Sequence, residues 1–540
     1  MQLKRNEIKN KDLKKYIIPK YNIDKITHNT KEGPKWIHFG AGNIFRAFLA
    51  SCQQKLLNEF KENNGIIVVE GFDYQIVDYL KKFDNLTINV TLNADGSISK
   101  ELIASIVQYI KMNPSEVDDM KQLREYFRNP TLQMISLTIT EKGYRLKDMN
   151  EQYYPDVCQD FKKKPSEAES YLGKICSLLY ERFKSGQYPL ALVSMDNMSQ
   201  NGEKLETAIK NIVEKWVENK MVEKEFFDYI SNPEIITFPW TMIDKITPRP
   251  SEKVKEMLVS DGFENIDPIV TEKNTFIAPF VNGEAVQYLI IEDAFPNGRP
   301  KLEDAGIIFT SREVVNRVET MKVTTCLNPL HTALAIFGCL LGYSSIYEEM
   351  KDSDLVNMIK ILGYKEGLPV VIDPGVLNPK KFLDEVIHLR LSNQFIPDSP
   401  QRIATDTSQK LAIRFGNTIR EYLKEGKDLN DLTIIPLVFA GWFRYLQGMD
   451  DNLLRIELSS DPFIGKINWV YNNVDYLSEE HLGNIIKLTQ DSSIFGMDLV
   501  SCGLSDKVLE FYKKMNRGKN AVRTTISEVI GGIIDNANVI

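Results

Sequence analysis

The sequence is poor in the residues that build metal sites and disulfide frameworks. Its 540 residues include 6 cysteines and 5 histidines. The cysteines (Cys52, Cys158, Cys176, Cys326, Cys339, Cys502) are scattered, and no two form a CxxC pair. The histidines (His28, His38, His331, His388, His481) are equally dispersed, and no HExxH occurs. These absences argue against a cysteine-rich zinc site, a zincin-type site and a disulfide framework. A reduced, cytoplasmic protein without a metal is expected. An excess of positive charge is missing too: 66 Lys and Arg stand against 74 Asp and Glu, a net charge of −8. Nucleic acid is therefore not an expected partner, because phosphate binding needs a basic surface. The most apolar stretch, "TALAIFGCLLGYSSI" from Thr332, is too short and mixed to span a bilayer and reads as a buried helix. The Lys-rich N-terminus lacks an apolar h-region, so no secretory signal is expected. No repeat, low-complexity segment or coiled coil stands out, and the expected state is a monomer or weak oligomer.

Hydrophobic residues at 43% and charged residues at 26% form an ordinary globular mixture that can fill a large core. The length suggests two to four domains. In the first part, strand-like and helix-like segments alternate. "KWIHFGAG", "GIIVVEGFD", "LQMISLTIT" and "YPLALVSMD" read as strands, and "IFRAFLASCQQKLLNEF" and "SEAESYLGKICSLLYERFKSG" as helices. Such alternation implies a parallel, doubly wound α/β sheet. From about Val314 the pattern becomes almost all helical, as in "NPLHTALAIFGCLLG", "SQKLAIRFGNTIREYLKEG" and "LTIIPLVFAGWFRYLQG". An N-terminal nucleotide-type domain, 1–309, and a mostly α-helical C-terminal domain, 310–540, are expected.

The segment "IHFGAGNIFR" joins the first strand to the first helix. Gly40 permits a tight turn, and Gly42 lets backbone N–H groups approach a pyrophosphate. The helix starting near Asn43 would aim its positive end at that pyrophosphate, with Ile44, Phe45 and Arg46 in its first turn. Phe45 stands where the usual fingerprint has a third glycine. Arg46 could reach a phosphate or an acid on a closing domain. Glu70, ending the second strand, and Asp73 just beyond it suit ribose hydroxyls and favour NAD over NADP. His38, inside the first strand, reads as a packing residue.

Further polar clusters fall where strands end, the place where doubly wound sheets bind ligands. "SLTITEKGY" carries Glu141, "SMDNMSQNG" carries Asp196, Asn197 and Asn201, and "FPWTMIDKITPRP" carries Asp244. "ETMKVTTCLNPLH" carries Lys322, Asn328 and His331, the last two sharing a helix face by their spacing of three. A dehydrogenase without zinc must exchange a proton with its substrate oxygen as hydride moves, which a lysine can do. Amide groups of Asn197 and Asn328 could hold alkoxide character on that oxygen. Each cluster also has a plainer explanation, as a helix cap, a solvated loop or a core histidine.

Taken together, these motifs resemble the mannitol dehydrogenase family of polyol-specific long-chain dehydrogenases. The resemblance rests on "FGAGNIFRAF", "SLTITEKGY", "MDNMSQNG", "MIDKITP", "IEDAFPNGRP", "ETMK…LNPLH", "RIATDTSQK", "AGWFRYLQG" and "IFGMDL", in the family's order from residue 39 to 499. It implies a Rossmann-type domain, a helical domain, a cleft between them and metal-independent, NAD-linked hydride transfer. It further implies Lys322 as the acid/base, Asn197 and Asn328 on the reacting oxygen, and His331 beside them. Asp244, Glu141, Arg402 and Lys410 would face the substrate. Five residues separate Lys322 from Asn328, where the family pattern has four. On a continuous α-helix, one extra residue turns Lys322 by about 100°. Either the lysine precedes the helix, or a bulge absorbs the insertion, or Lys322 is not the base.

Arg402 and Lys410 suit a sugar-acid carboxylate. Length and "KVTTCLNPLH" resemble the bacterial members that act on uronates, so reversible reduction of D-fructuronate to D-mannonate is expected. Reduction of tagaturonate and oxidation of mannitol are the close alternatives. An NAD-binding or sensing protein without catalysis is the alternative of another class.

Overall fold

The computed structural model describes residues 1–8, 13–471 and 477–536. The chain divides into two compact units, Met1–Asn316 and Arg317–Ile540.

The N-terminal unit is built on six strands: β1 (Trp36–Phe39), β2 (Ile66–Glu70), β3 (Ile106–Lys111), β4 (Met134–Leu137), β5 (Leu190–Ser194) and β6 (Ile236–Thr237). All pair in parallel, in the order β3-β2-β1-β4-β5-β6. This is the order of dinucleotide-binding doubly wound sheets, with the switch point between β1 and β4. Alternate residues face opposite layers, as strand geometry requires. Ile37, Phe39, Ile67, Val69, Ile135 and Leu137 join one apolar core. Trp36, Ile66, Val68, Met134 and Val193 join the other. The strands are apolar on both faces because helices cover both. Helices α1 (Ala50–Asn58), α2 (Tyr171–Gly186) and α3 (Asn201–Glu218) supply much of that cover.

Two smaller sheets extend the unit. Thr87–Leu92 pairs with Ile98–Ile103 and Phe280–Glu284. Tyr288–Glu292 pairs with Thr241–Asp244 and Ile308–Thr310.

The C-terminal unit is helical. Helix α4 (Arg312–Met321), whose first residues belong to the N-terminal unit, runs through a π-helical turn, Lys322–Cys326, toward α5 (Asn328–Leu341). The helical run from Arg312 to Leu341 is longer than the 15-residue stretch singled out in the sequence, and is long and apolar enough to cross a membrane. Its apolar window is 83% buried within the protein, as for a core helix. Three more π-turns, Ile361–Gly367, Val386–Arg390 and Ala412–Gly416, interrupt segments whose sequence reads as continuous α-helix. The last leads into α6 (Asn417–Glu425). Helix α7 (Ile434–Tyr445) is buried along its whole length and packs against α8 (Ser505–Met515) and α5.

Burying α7 leaves its first N–H groups without water, so a side chain must satisfy them. Glu366 does this: Oε1 accepts from Thr433 N (2.7 Å) and Ile434 N (2.6 Å), and Oε2 from Ile435 N (3.0 Å). Burial outweighs these donors and raises the carboxyl pKa to about 7. A carboxyl near 4.5 when unfolded and near 7 when folded binds more protons in the native state between those values. Its contribution to stability therefore falls as pH rises through that window, by at most about 3 kcal/mol. Glu366→Gln is expected to flatten this part of the stability–pH profile, and Glu366→Ala to lower stability by about 1–3 kcal/mol at pH 7. Denaturant titrations from pH 4.5 to 8 check both.

Candidate active site

In the N-terminal unit, the chain leaves β1 through Gly40 with φ +108°, a conformation that favours glycine. A Cβ on Gly40 would lie 2.3 Å from the Thr138 carbonyl oxygen, so the residue also permits close approach of the loop after β4. Gly42 differs: a Cβ there meets no atom within 4 Å. The helix begins at Asn43, so Gly42 keeps open space in front of its N-terminus. Open space, unbonded N–H groups at a helix start and the sheet's switch point together fit a pyrophosphate.

The side chains around this turn hold it rigid. Phe45 belongs to a π-turn, Phe45–Leu49, and stacks flat on His38, with ring centroids 3.9 Å apart. His38 Nδ1 lies 2.7 Å from Ser136 Oγ and its Nε2 2.9 Å from Thr138 Oγ1, tying β1 to β4. Burial lowers its pKa well below the usual range, so it is a neutral packing residue. Arg46 is buried, with its guanidinium engaged inside the N-terminal unit. Its Nη1 donates to Ala278 O (2.7 Å) and its Nη2 to Asn43 Oδ1 (2.9 Å), and burial lowers its pKa to about 10.

Glu70 is buried and accepts from Ala41 N (3.1 Å), Phe72 N (2.9 Å) and Asp73 N (3.2 Å). It thus clamps the glycine turn to the end of β2. Burial still raises its pKa. Asp73 accepts from Thr271 Oγ1 at 2.6 Å. Both acids are engaged by the protein itself, with Ala41 of the glycine turn as one of the donors.

The loops after β4 and β5 are bound together by Asp196. Its carboxylate accepts from Ile139 N (2.8 Å), Thr140 N (3.0 Å) and Tyr144 Oη (2.7 Å). Thr140 has φ +63°, rare for a β-branched residue, and the bond to Asp196 helps hold it there. Asn201 links the same region to the next strand: its Nδ2 donates to Asp196 O (3.0 Å), and its Oδ1 accepts from Thr241 N (3.0 Å). These ties fix the loops that carry Glu141 and Asn197 and the strand that ends at Asp244. Glu141 pairs with Arg145 at 2.9 Å, Asn197 is exposed, and Asp244 is buried. Asp196 and Asn201, two of the polar residues after β5, are therefore positioning residues.

In the C-terminal unit, Lys322 is 3% exposed and opens the first π-turn. Leu327 N reaches back five residues to Lys322 O at 3.1 Å, and Leu327 (φ −130°, ψ −63°) then starts α5. Pro329 follows in the first turn, where its missing N–H costs little. Asn328 and His331 share one face of α5. His331 Nε2 lies 3.3 Å from Asp398 Oδ2. Burial, opposed by Asp398, lowers the His331 pKa and keeps the ring neutral near pH 7. Burial raises the Asp398 carboxyl, but His331 and Arg402 outweigh it and hold the carboxyl below its usual range.

Arg402 and Lys410 lie in this same neighbourhood, and each is partnered by the protein. Arg402 pairs with Asp398, and Lys410 donates to the carbonyls of Ile403 (3.1 Å) and Thr405. Burial, with Arg414 next, lowers the Lys410 pKa to about 8.

Family models for the mannitol dehydrogenase Rossmann domain and the mannitol dehydrogenase C-terminal domain match residues 34–304 and 315–515. The chain belongs to the mannitol dehydrogenase family. It is 50% identical over 519 residues to a D-mannonate oxidoreductase of Thermotoga maritima, covering 95% of each chain. It is 28% identical to a mannitol 2-dehydrogenase of Pyrenophora tritici-repentis, over 86% of this chain and 77% of that one. Among solved structures, a D-sorbitol dehydrogenase in substrate-free form matches with TM-score 0.81 at 25% identity, covering 97% of this chain and all of the other. A Pseudomonas fluorescens mannitol 2-dehydrogenase in ternary complex with NAD and D-mannitol matches with TM-score 0.69 at 25% identity, covering 98% and 100%.

Within the mannitol dehydrogenase family pattern, the extra residue after Lys322 now has a location. A π-turn takes up one residue more than an α-turn. Lys322 precedes α5 and opens such a turn, so the five residues between it and Asn328 fit within a closed helical run. Two residues that matter here were not among the expected substrate contacts, Asp398 and Arg414. "IPDSPQR" places Asp398 four residues before Arg402, and "KLAIR" places Arg414 four after Lys410. That i, i+4 spacing was the available signal.

The two glycines should fail differently. Gly42→Ala is expected to leave the unfolding midpoint unchanged while weakening NADH binding about tenfold, the value of one charge-assisted contact. Gly40→Ala is expected to lower the midpoint, because its Cβ meets a backbone carbonyl. Fluorescence titration with NADH and thermal unfolding separate these effects.

Proposed function

We propose that the protein catalyses the reversible, NAD-dependent reduction of D-fructuronate to D-mannonate. The observation that carries this is 50% identity, over 95% of both chains, to a D-mannonate oxidoreductase. NADH, when bound, supplies the hydride. The N-terminal unit would hold it: Gly40, Gly42 and the N–H groups from Asn43 to Phe45 would face the pyrophosphate, while the Arg46 N–H closes the turn on Gly42 O (3.3 Å), and Glu70 and Asp73 would bound the ribose side.

Lys322 gives its proton to the substrate carbonyl oxygen in reduction and removes it in oxidation. Amide N–H groups of Asn197 and Asn328 donate to that oxygen as negative charge develops on it. The neutral His331 ring contacts the same oxygen or its neighbouring hydroxyl. Asp244 and Glu141 accept from substrate hydroxyls, and Arg402 and Lys410 line the substrate side. Zinc has no part in this scheme. The six cysteines are free thiols, which fits a reducing, cytoplasmic setting.

An NADH-oxidation panel with D-fructuronate, D-tagaturonate and D-fructose tests the substrate. The largest kcat/KM is expected with D-fructuronate. A larger value with either other sugar reassigns the enzyme within its family. NADH binding without oxidation of any of them would make it a non-catalytic binder. Lys322→Ala is expected to lower kcat about 100- to 10,000-fold with NADH affinity intact. Full turnover by that variant would remove Lys322 as the base.

A further inference from the structure

Of the cations near His331, two are already answered by the protein. The third, Arg414, is not. It sits in the π-turn Ala412–Gly416, which packs on the π-turn that begins at Lys322. Thr418 Oγ1 also donates to Thr324 O at 3.4 Å across this contact. The guanidinium of Arg414 is half-buried, and only its Nη1 is hydrogen-bonded among the described residues, to Thr332 Oγ1. Thr332 in turn donates to Asn328 O at 2.9 Å. Arg414 is therefore suspended from the same turn of α5 that carries Asn328 and His331.

No carboxylate among the described residues lies within ion-pairing distance of Arg414. Asp398, the acid beside His331, is taken by Arg402 and His331. Asp461, near Lys410, accepts from Ser408 N (2.8 Å), Ser408 Oγ and Phe463 N (3.0 Å). Burial without an anionic partner lowers the Arg414 pKa to about 10. At neutral pH it still carries full charge. A desolvated, unanswered cation is costly to keep unless an anion arrives to pair with it. Nη1 is occupied, but Nε and Nη2 form the edge that matches a carboxylate bidentately.

We infer that Arg414 is the residue that recognises the carboxylate of the sugar-acid substrate, through its Nε–Nη2 edge, while Arg402 and Lys410 shape its surroundings. This deepens the proposed function and rests on it. Arg414 is a specificity-determining contact: it selects an anionic end group over a neutral one, and it leaves proton transfer to Lys322.

The test compares two ligands that differ only in charge. D-mannonate and its neutral isostere D-mannonamide are titrated calorimetrically into NADH-saturated protein, where no turnover can occur. Wild-type protein is expected to prefer mannonate. In Arg414→Gln, mannonate affinity should fall about 10- to 100-fold, the value of a charge-assisted pair, with mannonamide little changed. Arg414→Lys keeps the charge, loses the fork and should fall between; it serves as well should the Gln variant fold poorly. Equal loss for both ligands would mean a structural role and overturn the inference. So would an unchanged preference. The underlying reading fails separately: it falls if wild-type protein oxidises no NADH with D-fructuronate, whatever Arg414 binds.

Discussion

One extra residue in a helix must either break the backbone ladder or be enclosed within it. Between α4 and α5 it is enclosed. The Leu327 N–H bonds to Lys322 O, five residues back, so the helical run stays satisfied through the widened turn. The alternative, an open break, would leave backbone groups unpaired around side chains that are nearly all buried. The π-turn thus allows one helical run to hold both a buried lysine and, on the next turn, an asparagine and histidine on one face. The neighbouring π-turn Ala412–Gly416 packs against it, so the two irregular turns support each other and bring Arg414 to Thr332. Irregular helix here is what assembles the polar cluster.

The N-terminal unit meets a different constraint. Its strands end in loops that must hold a fixed shape at the edge of an apolar sheet. Buried polar side chains supply that shape: Glu70 for the glycine turn, Asp196 for the loops after β4 and β5, Asn201 for the strand beginning at Thr241. Each is bonded mainly to backbone groups, so each fixes chain direction rather than presenting a reactive atom. Phe45 belongs to the same scheme. Its ring fills the space over β1 against a neutral His38, whose two nitrogens reach across to β4 and to Thr138 just beyond it. Helix and strand are held apart by two stacked rings, where the usual third glycine would bring them together.

Much of this was legible in the sequence, for physical reasons. β1, β2, β4 and β5 are apolar on both faces and flanked by helical patterns, so they stood out. β6 has two residues and β3 lies behind a hairpin, so neither carried a period. In the C-terminal unit helices were evident but π-turns were not, because a single widened turn barely alters hydrophobic spacing. Only the family pattern around Lys322 betrayed one. Glycine roles were partly legible: the turn could be placed, but that Gly40 serves chain packing while Gly42 keeps space open depends on neighbours 98 residues away in sequence, such as Thr138.

Charged residues were the least legible, because their roles depend on what already neutralises them. Arg46, Arg402 and Arg414 look alike in sequence, each a lone arginine in a family motif or just beyond one. Arg46 is fully enclosed and donates to a carbonyl and an asparagine. Arg402 shares Asp398 with His331. Arg414 has a hydroxyl on one side and, among the described residues, no anion on the other. A buried carboxylate with three backbone donors, such as Glu70 or Glu366, is likewise committed to the fold before any ligand arrives. The free energy for recognising an anion is largest where desolvation has been incurred and no internal counter-ion offsets it. By that criterion the motif arginine at 402, more exposed and paired, contributes least, and the arginine held inside the π-turn Ala412–Gly416 contributes most.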